Sequence, residues 1–321
     1  MKKFILLFVA IVQIHLCFII PAFAAEENIG GEYIAIENLD IEVSEISVSA
    51  AGPYQDHFGF SYDTKTKNEI QTILHIFKTL PLRTRDITYI ATDTSDSNTV
   101  IFDSEGNKRT LFVNGGYYLF DSENEYQYSY LSDVNINGRL YDTIETIKAN
   151  SFTEDEDIYA FSNWASEYIL KAAQSGIISE YNEINFKRGI SKVEVSEIVV
   201  SLIFPEYKPK YDVKSEQING SLRYCVEKGF FSGDNPYQTI KRTEFFDALQ
   251  KILKHLKHDI STDYEIKYID KSDIDENVLP IVSYLTEKGV LTGYEDGSLR
   301  PQNALTKEEM IAIMARLFEI L

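Results

Sequence analysis

The pattern of hydrophobic and polar residues changes about halfway along the 321-residue chain. Up to about Asn150, aromatic and β-branched residues occur in short runs that turn-forming residues separate, which is typical of β-strands. Beyond about Asp157 the apolar residues follow a helical pattern. The chain is therefore predicted to be an α+β domain at residues 25–150, an acidic linker at 151–157 and an all-α region that continues to Leu321.

The first region contains one clear helical signal. Thr66 and Glu69 have the spacing of a capping box, an apolar stripe follows, and Pro81 ends the element. Turn signals then separate five predicted strands: Asp86–Ala91, Thr99–Asp103, Thr110–Val113, Tyr117–Asp121 and Tyr126–Leu131. With a closing helix at Leu140–Ala149, these strands predict an antiparallel meander with helices.

Several tyrosines of this region admit two interpretations. They are either a carbohydrate-stacking face or ordinary strand residues with one face in the core. These tyrosines are Tyr117, Tyr118, Tyr126, Tyr128, Tyr130 and Tyr141.

The all-α region contains a repeated frame. Gly176, Gly229 and Gly289 each end a predicted helix and are each followed by two apolar residues. A similar five-residue segment follows each glycine, at Ile190–Glu194, Ile240–Glu244 and Leu305–Glu309. This frame predicts three helix-loop-helix repeats, at residues 158–205, 206–260 and 261–321.

Each five-residue segment places a cation at the first position of a helix. Lys192, Arg242 and Lys307 stand there, although the positive end of the helix dipole disfavours a cation. One interpretation is an anion site made of the cation and unsatisfied helix amides. The other is an ion pair with a nearby acid such as Glu295 or Asp296. The spacing alone leaves both interpretations open.

Composition and the chain start bear on the compartment. Lys2 and Lys3, an apolar run and the Ala22-Phe23-Ala24 site predict a secretory signal peptide at residues 1–24. No other stretch approaches the ~20 apolar residues that span a bilayer. Only Cys225 remains after cleavage, so a buried free thiol is expected.

The charge and the motifs exclude several functions. A formal net charge of -19 without a basic patch disfavours nucleic acid as a partner. The chain contains no nucleophile elbow, no His-Glu-x-x-His and no phosphate loop. His255 and His258 are three residues apart but lack further ligands. The sequence therefore predicts a protein that is not an enzyme, with no catalytic residue, cofactor or metal.

The segment from Gly289 to Pro301, Gly-Val-Leu-Thr-Gly-Tyr-Glu-Asp-Gly-Ser-Leu-Arg-Pro, carries a family resemblance. It resembles the S-layer homology (SLH) signature Gly-Ile-Ile-Thr-Gly-Tyr-x-Asp-Gly-Thr-Phe-Arg-Pro, which Ile-Thr-Arg-Ala-Glu follows. Leu305–Glu309 is similar to that second motif. The first repeat departs from it, with Ser179-Glu180 in place of Thr-Gly, and the second repeat has a shorter loop.

This resemblance implies a pseudo-threefold helical spindle whose grooves bind anionic secondary cell-wall polysaccharide, commonly bearing ketal-linked pyruvate. It implies no bond made or broken. Carried over by motif position, the polysaccharide-binding residues would be Lys192, Arg242, Lys307, Asp157, Asp212, Asp270, Gly233, Gly293 and Trp164.

Three hypotheses follow for the whole chain. In the first, the repeats anchor a secreted protein to the cell wall or S-layer and display the N-terminal domain. In the second, the N-terminal domain is an enzyme that acts on the wall. In the third, it binds a surface protein and the molecule is a scaffold.

Overall fold

The computed structural model describes residues 36, 39, 42–50, 60–80, 82–85, 97–114, 118–121, 127–130, 136–150, 152, 157–179, 182–210 and 219–321. The predicted signal peptide lies outside these residues, as do the predicted strand Asp86–Ala91, most of the predicted linker and Asp212.

The N-terminal region forms an antiparallel sheet. Its strands are β1 Val43–Ala50, β2 Ser61–Thr64, β3 Leu82–Arg85, β4 Ser97–Asp103, β5 Lys108–Asn114, β6 Tyr118–Asp121 and β7 Gln127–Tyr130. The spatial order is β2-β1-β4-β5-β6-β7-β3. Strands β4 to β7 pair in chain order, so the predicted meander is confirmed there.

Alternation along the strands places apolar side chains on one face of this sheet. In β1 and β5 the alternating residues Ile46, Val48, Leu111 and Val113 are fully buried. The flanking strands β1, β2 and β3 escaped prediction, because β1 contains mainly serine and glutamate between its apolar residues and β2 and β3 are only four residues long.

Two helices belong to this first unit: α1 Lys67–Lys78 and α2 Ile136–Ala149. Both helices are confirmed, and α2 begins four residues before its predicted start. The predicted capping box of α1 is wrong, because Thr66 makes no side-chain cap bond. Glu69 instead accepts hydrogen bonds from Tyr62 Oη (2.7 Å) and Thr64 Oγ1 (2.6 Å) at the end of β2.

The second half is helical, which confirms the predicted change of class. Its α-helices are α3 Ser166–Gln174, α4 Lys192–Ile203, α5 Gly220–Glu227, α6 Arg242–His255, α7 Leu279–Glu287 and α8 Lys307–Phe318. Short 3-10 helices lie at Asn163–Ala165, Lys271–Asp273 and Glu276–Val278. In the part of the chain that is described, no helix has both the length and the apolarity needed to cross a bilayer.

The predicted helix-ending glycines are confirmed by the backbone. Gly176, Gly229 and Gly289 have φ values of 71°, 73° and 71°, which is the left-handed region that glycine adopts most readily. Cys225, which lies just before the second of these glycines, is a buried free thiol as expected.

The three repeats close into a ring. Ile190 N donates to Leu305 O (2.8 Å), Leu305 N to Ile240 O (2.9 Å) and Ile240 N to Ile190 O (3.0 Å). These residues open the three five-residue segments that the sequence had aligned. The segments therefore meet at one place in the fold, and each repeat contacts the other two.

The two halves have separate hydrophobic cores. One core lies between the sheet and helices α1 and α2, and the other lies among the helices of the repeats. The contacts that join the halves are largely polar, for example the bond from Asn150 Nδ2 to Tyr237 O (2.9 Å). No single apolar core therefore spans both halves of the described chain.

Candidate functional site

The three predicted cations lie at the starts of α4, α6 and α8, and all of them are buried. Lys192 is 6% exposed, Arg242 is 5% exposed and Lys307 is 2% exposed. A buried cation needs a partner, because the charge loses its hydration and the nearby helix dipole also opposes it.

The partners of these cations form a cycle around the ring. Lys192 Nζ lies 3.8 Å from Glu244 Oε1, and Arg242 Nη1 lies 3.1 Å from Glu309 Oε2. The cycle closes with Lys307 Nζ at 3.1 Å from Glu194 Oε1. Each glutamate is the third residue of the second helix (α4, α6 or α8) of the next repeat in the cycle. An ion pair therefore joins each repeat to the next.

The same glutamates also cap their own helices. Ser191 and Glu194 form a capping box, and so do Thr306 and Glu309, as the sequence predicted. At α6 the capping position is Lys241, which has no hydroxyl, and Glu244 Oε2 accepts only from Lys241 N (2.8 Å). One carboxylate thus accepts a hydrogen bond at the start of its own helix and pairs with the cation of a neighbouring repeat.

The helix amides that the anion-site interpretation requires are already bonded. Carbonyl oxygens of a neighbouring repeat accept from the amides of both Arg242 and Lys307 at 3.0 Å. The following amides donate in the same way, Val193 to Pro236 O (3.1 Å) and Glu308 to Phe186 O (2.8 Å). The anion-site interpretation, which needs free amides, therefore does not hold at α6 and α8, because carbonyl groups of neighbouring loops accept from these amides instead.

Burial and pairing set the charge states at the junction of the third and first repeats. Burial lowers the pKa of Lys307, while Glu194 opposes that change. Burial also opposes ionisation of Glu194, but Arg188 and Lys307 hold the pKa of this carboxyl at about 2. Glu194 is thus ionised at neutral pH, with Lys307 Nζ 3.1 Å away as its partner across the junction.

The loop of the third repeat is held in a tight conformation. Gly293 has a φ of 72°, and a Cβ there would lie 2.6 Å from Tyr268 Cε1 and 2.9 Å from Ser298 O. Tyr294 N donates to Ser298 O (2.8 Å) across the turn. Asp270 accepts from the amides of Leu299 (2.9 Å) and Arg300 (2.7 Å). The predicted residues Gly293 and Asp270 thus shape this loop.

Tyr294 lies between two guanidinium groups. Arg300 Cζ is 4.0 Å from the centre of its ring and Arg242 Cζ is 5.2 Å from it. Its hydroxyl donates to Glu309, the partner of Arg242. Burial, together with the bond to Glu309, raises the pKa of Tyr294 to about 12, so the phenol remains neutral.

Arg300 differs from the three buried cations in its exposure. Its side chain is 43% exposed, and it pairs with Asp296 at 2.9 Å, which in turn is 51% exposed. Arg300 Nε donates to Ser298 Oγ (3.1 Å). We call this site, made of Arg242, Tyr294, Ser298, Arg300 and Glu309, the Arg300 groove. It presents a cation to solvent above an aromatic ring.

The other two repeats place a different residue at the position of Arg300. Asn185, Asn235 and Arg300 have φ values of 57°, 47° and 52°, and each lies six residues before a capping residue. Asparagine enters this left-handed region readily, whereas arginine does so at a higher energy. The third repeat is thus the one that carries a cation here.

Sequence reasoning missed Arg300 and Tyr294 as site residues. Both belong to the Gly-Tyr-Glu-Asp-Gly-Ser-Leu-Arg-Pro motif that indicated the family, so the motif held the signal. Their joint position with Arg242 depends on packing between two repeats, which spacing within one repeat does not reveal.

Lys192 lies against the short loop of the second repeat. Its Nζ donates to Asp234 O (2.7 Å) and to Ser232 Oγ (3.2 Å). Gly233 in this loop does not have a positive φ, unlike Gly293 in the third repeat. The shortened loop thus supplies acceptors to the cation directly.

The remaining predicted residues are Asp157, at the end of the linker, and Trp164, in the first repeat, and neither belongs to the Arg300 groove. Asp157 is exposed, and its Oδ1 accepts from Tyr159 N (3.0 Å). Trp164 lies in a 3-10 helix and is 51% exposed, so it is not a core residue. Of the predicted set, the structure brings together Arg242, Asp270 and Gly293. A ligand-binding role for the set as a whole stays a prediction.

Comparison with known proteins agrees with this arrangement. The family model of the S-layer homology domain matches residues 155–188 and 267–311, which cover much of the first and third repeats. The helical half of the chain therefore contains two segments that match the SLH domain. A search of curated proteins finds no match. The second repeat is outside the matched residues. It nevertheless makes the same ring contacts as the other two and has a left-handed residue, Asn235, at the equivalent position.

SLH domains generally mediate anchoring to secondary polymers of the cell wall. Their presence implies that this protein associates with the cell surface or the cell wall.

Proposed function

We propose that the repeats anchor a secreted protein non-covalently to an anionic secondary cell-wall polysaccharide, with the Arg300 groove as its main site. The observation that carries the proposal is the half-exposed Arg300 guanidinium stacked on Tyr294 inside a matched SLH segment. The three repeats are proposed to form the pseudo-threefold spindle, and the N-terminal domain is carried to the cell surface with them.

The chemistry of the groove suits an acidic sugar. Arginine carries five N–H donors in a planar fork, and the recorded bonds of Arg300 go to Ser298 and Asp296. A carboxylate such as ketal-linked pyruvate would accept from the remaining donors in a bidentate way. The exposed Asp296 carboxylate holds Arg300 only weakly, because water competes for both charges.

The lower part of the groove supplies fixed charge and shape. Arg242 adds a second positive group 5.2 Å from the Tyr294 ring, while Glu309 keeps that arginine in place. The edge of the Tyr294 ring can pack against a sugar. The Asp296 carboxylate can accept hydrogen bonds from its hydroxyl groups. The proposal assigns binding to these residues and no catalysis.

A sedimentation assay with purified wall sacculi tests the proposal. The full chain is expected to sediment with intact sacculi and to stay in solution with sacculi stripped of secondary polysaccharide. Equal sedimentation with both preparations would contradict the proposed ligand. Release of soluble wall fragments during the incubation would contradict the absence of catalysis.

Two single variants locate the site within the ring. Arg242→Ala is expected to weaken sedimentation about tenfold, because Glu309 and Tyr294 then lose the buried cation that holds the lower part of the Arg300 groove in place. Lys192→Ala should change it much less, because Lys192 lies against the short loop of the second repeat. Circular dichroism confirms that both variants are folded at the assay temperature. Equal affinities for the two variants would contradict this assignment.

A further inference from the structure

Helix α2 has two buried faces of opposite character. Its apolar face, Ile136, Leu140, Ile144 and Ile147, packs into the core beneath the sheet. Its other face is polar, yet Asp142 and Thr146 are both only 4% exposed. A polar face becomes buried at low energetic cost only when another surface supplies hydrogen-bond partners.

The repeats supply those partners. Asp142 accepts from Asn219 Nδ2 (2.8 Å) and from Tyr237 Oη (3.2 Å). One turn beyond Thr146, Asn150 Oδ1 accepts from the amide (3.1 Å) and the hydroxyl (2.7 Å) of Thr239. The polar stripe of α2 thus fits loops of the second repeat and the start of α5.

Helix α1 contacts the first repeat in a similar way. Asn185, the left-handed residue of that repeat, donates from Nδ2 to Thr72 Oγ1 (3.3 Å). His75 Nδ1 lies 3.3 Å from Tyr159 Oη. Both helices of the N-terminal domain therefore rest on the repeats.

This docking closes the groove above Lys307. On one side the groove is lined by Arg188, Glu194, Glu197 and Lys307, and on the other by Thr72, Asp142, Thr143 and Thr146 of the N-terminal domain. The space left between the two sides is about 30 Å³, which is room for only a few water molecules. A sugar residue does not fit there.

The Arg300 groove is not covered in this way. Within the described part of the chain, the recorded contacts of Arg242, Tyr294 and Arg300 are all with residues of the second and third repeats. The two junctions therefore differ in whether the N-terminal domain lies over them.

We infer that the N-terminal domain masks the Lys307 groove, and that release of this domain uncovers a second anionic-sugar site lined by Arg188 and Lys307. The two separate cores and the polar contacts between them allow the domain to leave without unfolding. The sugar-binding part of the inference rests on the proposed function, whereas the masking itself does not.

The variant Thr146→Arg tests the masking. An arginine at this buried position is too large for the interface and brings a positive charge toward Arg188 and Lys307, so the domain undocks. Arginine is a good helix former, so α2 itself is kept. Lys148→Arg, on the exposed side of the same helix, is the matched control.

The readout is acylation of single lysines by an amine-reactive reagent, followed by mass spectrometry, with small-angle scattering to measure expansion. In Thr146→Arg the particle should expand and Lys307 should label at least about tenfold faster, while Lys192 labels at an unchanged rate. Labelling of Lys307 at the wild-type rate, in an expanded or an unexpanded particle, would overturn the inference. If Thr146→Arg fails to fold, the pair Asn150→Ala and Thr239→Ala replaces it.

Titration with an acidic saccharide prepared from the wall polymer then separates the two claims. The wild type is expected to bind one equivalent and the expanded variant a second one. An expanded variant that still binds one equivalent would refute the second site but leave the proposed function intact. If neither protein binds, the proposed function fails, and the lysine labelling still decides whether the domain masks the groove.

Discussion

The junction of the second and third repeats and the junction of the third and first repeats share one design and differ in what lies above it. At both, a buried cation at a helix start pairs at 3.1 Å with the capping glutamate of the next helix. Above Arg242 lie Tyr294 and the half-exposed Arg300. Above Lys307 lies the N-terminal domain. The buried cation therefore links two repeats at both junctions. Whether a polysaccharide can bind there depends on whether the N-terminal domain covers the groove.

This difference changes the meaning of the repeated cation. A cation at the same helix position in each repeat suggested a ligand site, yet its carboxylate partner comes from the neighbouring repeat every time. The exposed cation of the third repeat sits one loop earlier, at Arg300, where the other repeats have asparagine. At the Arg300 groove, closure of the ring and contact with the ligand thus use different positive residues, Arg242 and Arg300.

The largest expected effect comes from breaking an ion pair at the masked junction. Lys307→Ala leaves Glu194 with Arg188 alone in a buried site, and the free energy of unfolding should fall by about 3 kcal/mol. Arg300→Ala removes only an exposed pair and should leave the free energy of unfolding almost unchanged. Chemical denaturation measures both variants, and similar losses would contradict the division of roles.

The same pair gives a pH dependence with a definite sign. Because the pKa of Glu194 in the folded protein is lowered to about 2, its ionised form stabilises the fold above its ordinary value of 4.5. That contribution is lost as the pH falls from 4.5 towards 2. In Lys307→Ala the loss should be smaller and should be complete at a higher pH, because one of the two cations that lower the pKa of Glu194 is absent. Acid unfolding curves that coincide for the two proteins would contradict this.

A smaller effect is expected from the loop glycine. Gly293→Ala combines left-handed strain with a contact of 2.6 Å to the Tyr268 ring, and we expect a loss of about 2 kcal/mol together with weaker polysaccharide binding. Gly289→Ala is the matched control, because its φ of 71° is similar but nothing lies within 4 Å of the added Cβ. It should lose about 1 kcal/mol and bind normally. Equal losses in thermal unfolding would mean that the Tyr268 contact is unimportant.

The sequence predicted the structural features that local signals determine. Helix ends at Gly176, Gly229 and Gly289, capping boxes at Ser191 and Thr306, and the change from strands to helices all follow from residues that are close in the chain. These features depend on backbone preferences and short-range hydrogen bonds, which a single sequence records.

The missed features of the candidate site involve contacts between distant segments. Glu194 and Lys307 are more than a hundred residues apart, and so are Thr72 and Asn185, so no spacing rule connects them. The wrong capping box at Thr66 has a local origin instead, because Tyr62 and Thr64 of β2 donate to Glu69. The candidate site could therefore be located only in the folded structure, although its family motif was visible in the sequence.

The central claim is that the Arg300 groove holds the wall polysaccharide, and calorimetric titration of an arginine pair tests it most directly. Arg300 and Arg316 both stack on tyrosines, at 4.0 Å from Tyr294 and 4.3 Å from Tyr168, but Arg316 lies outside the groove. Arg300→Ala should weaken binding of the acidic polysaccharide about tenfold or more, and Arg316→Ala should leave it unchanged. Equal affinities for both variants and the wild type would contradict the account.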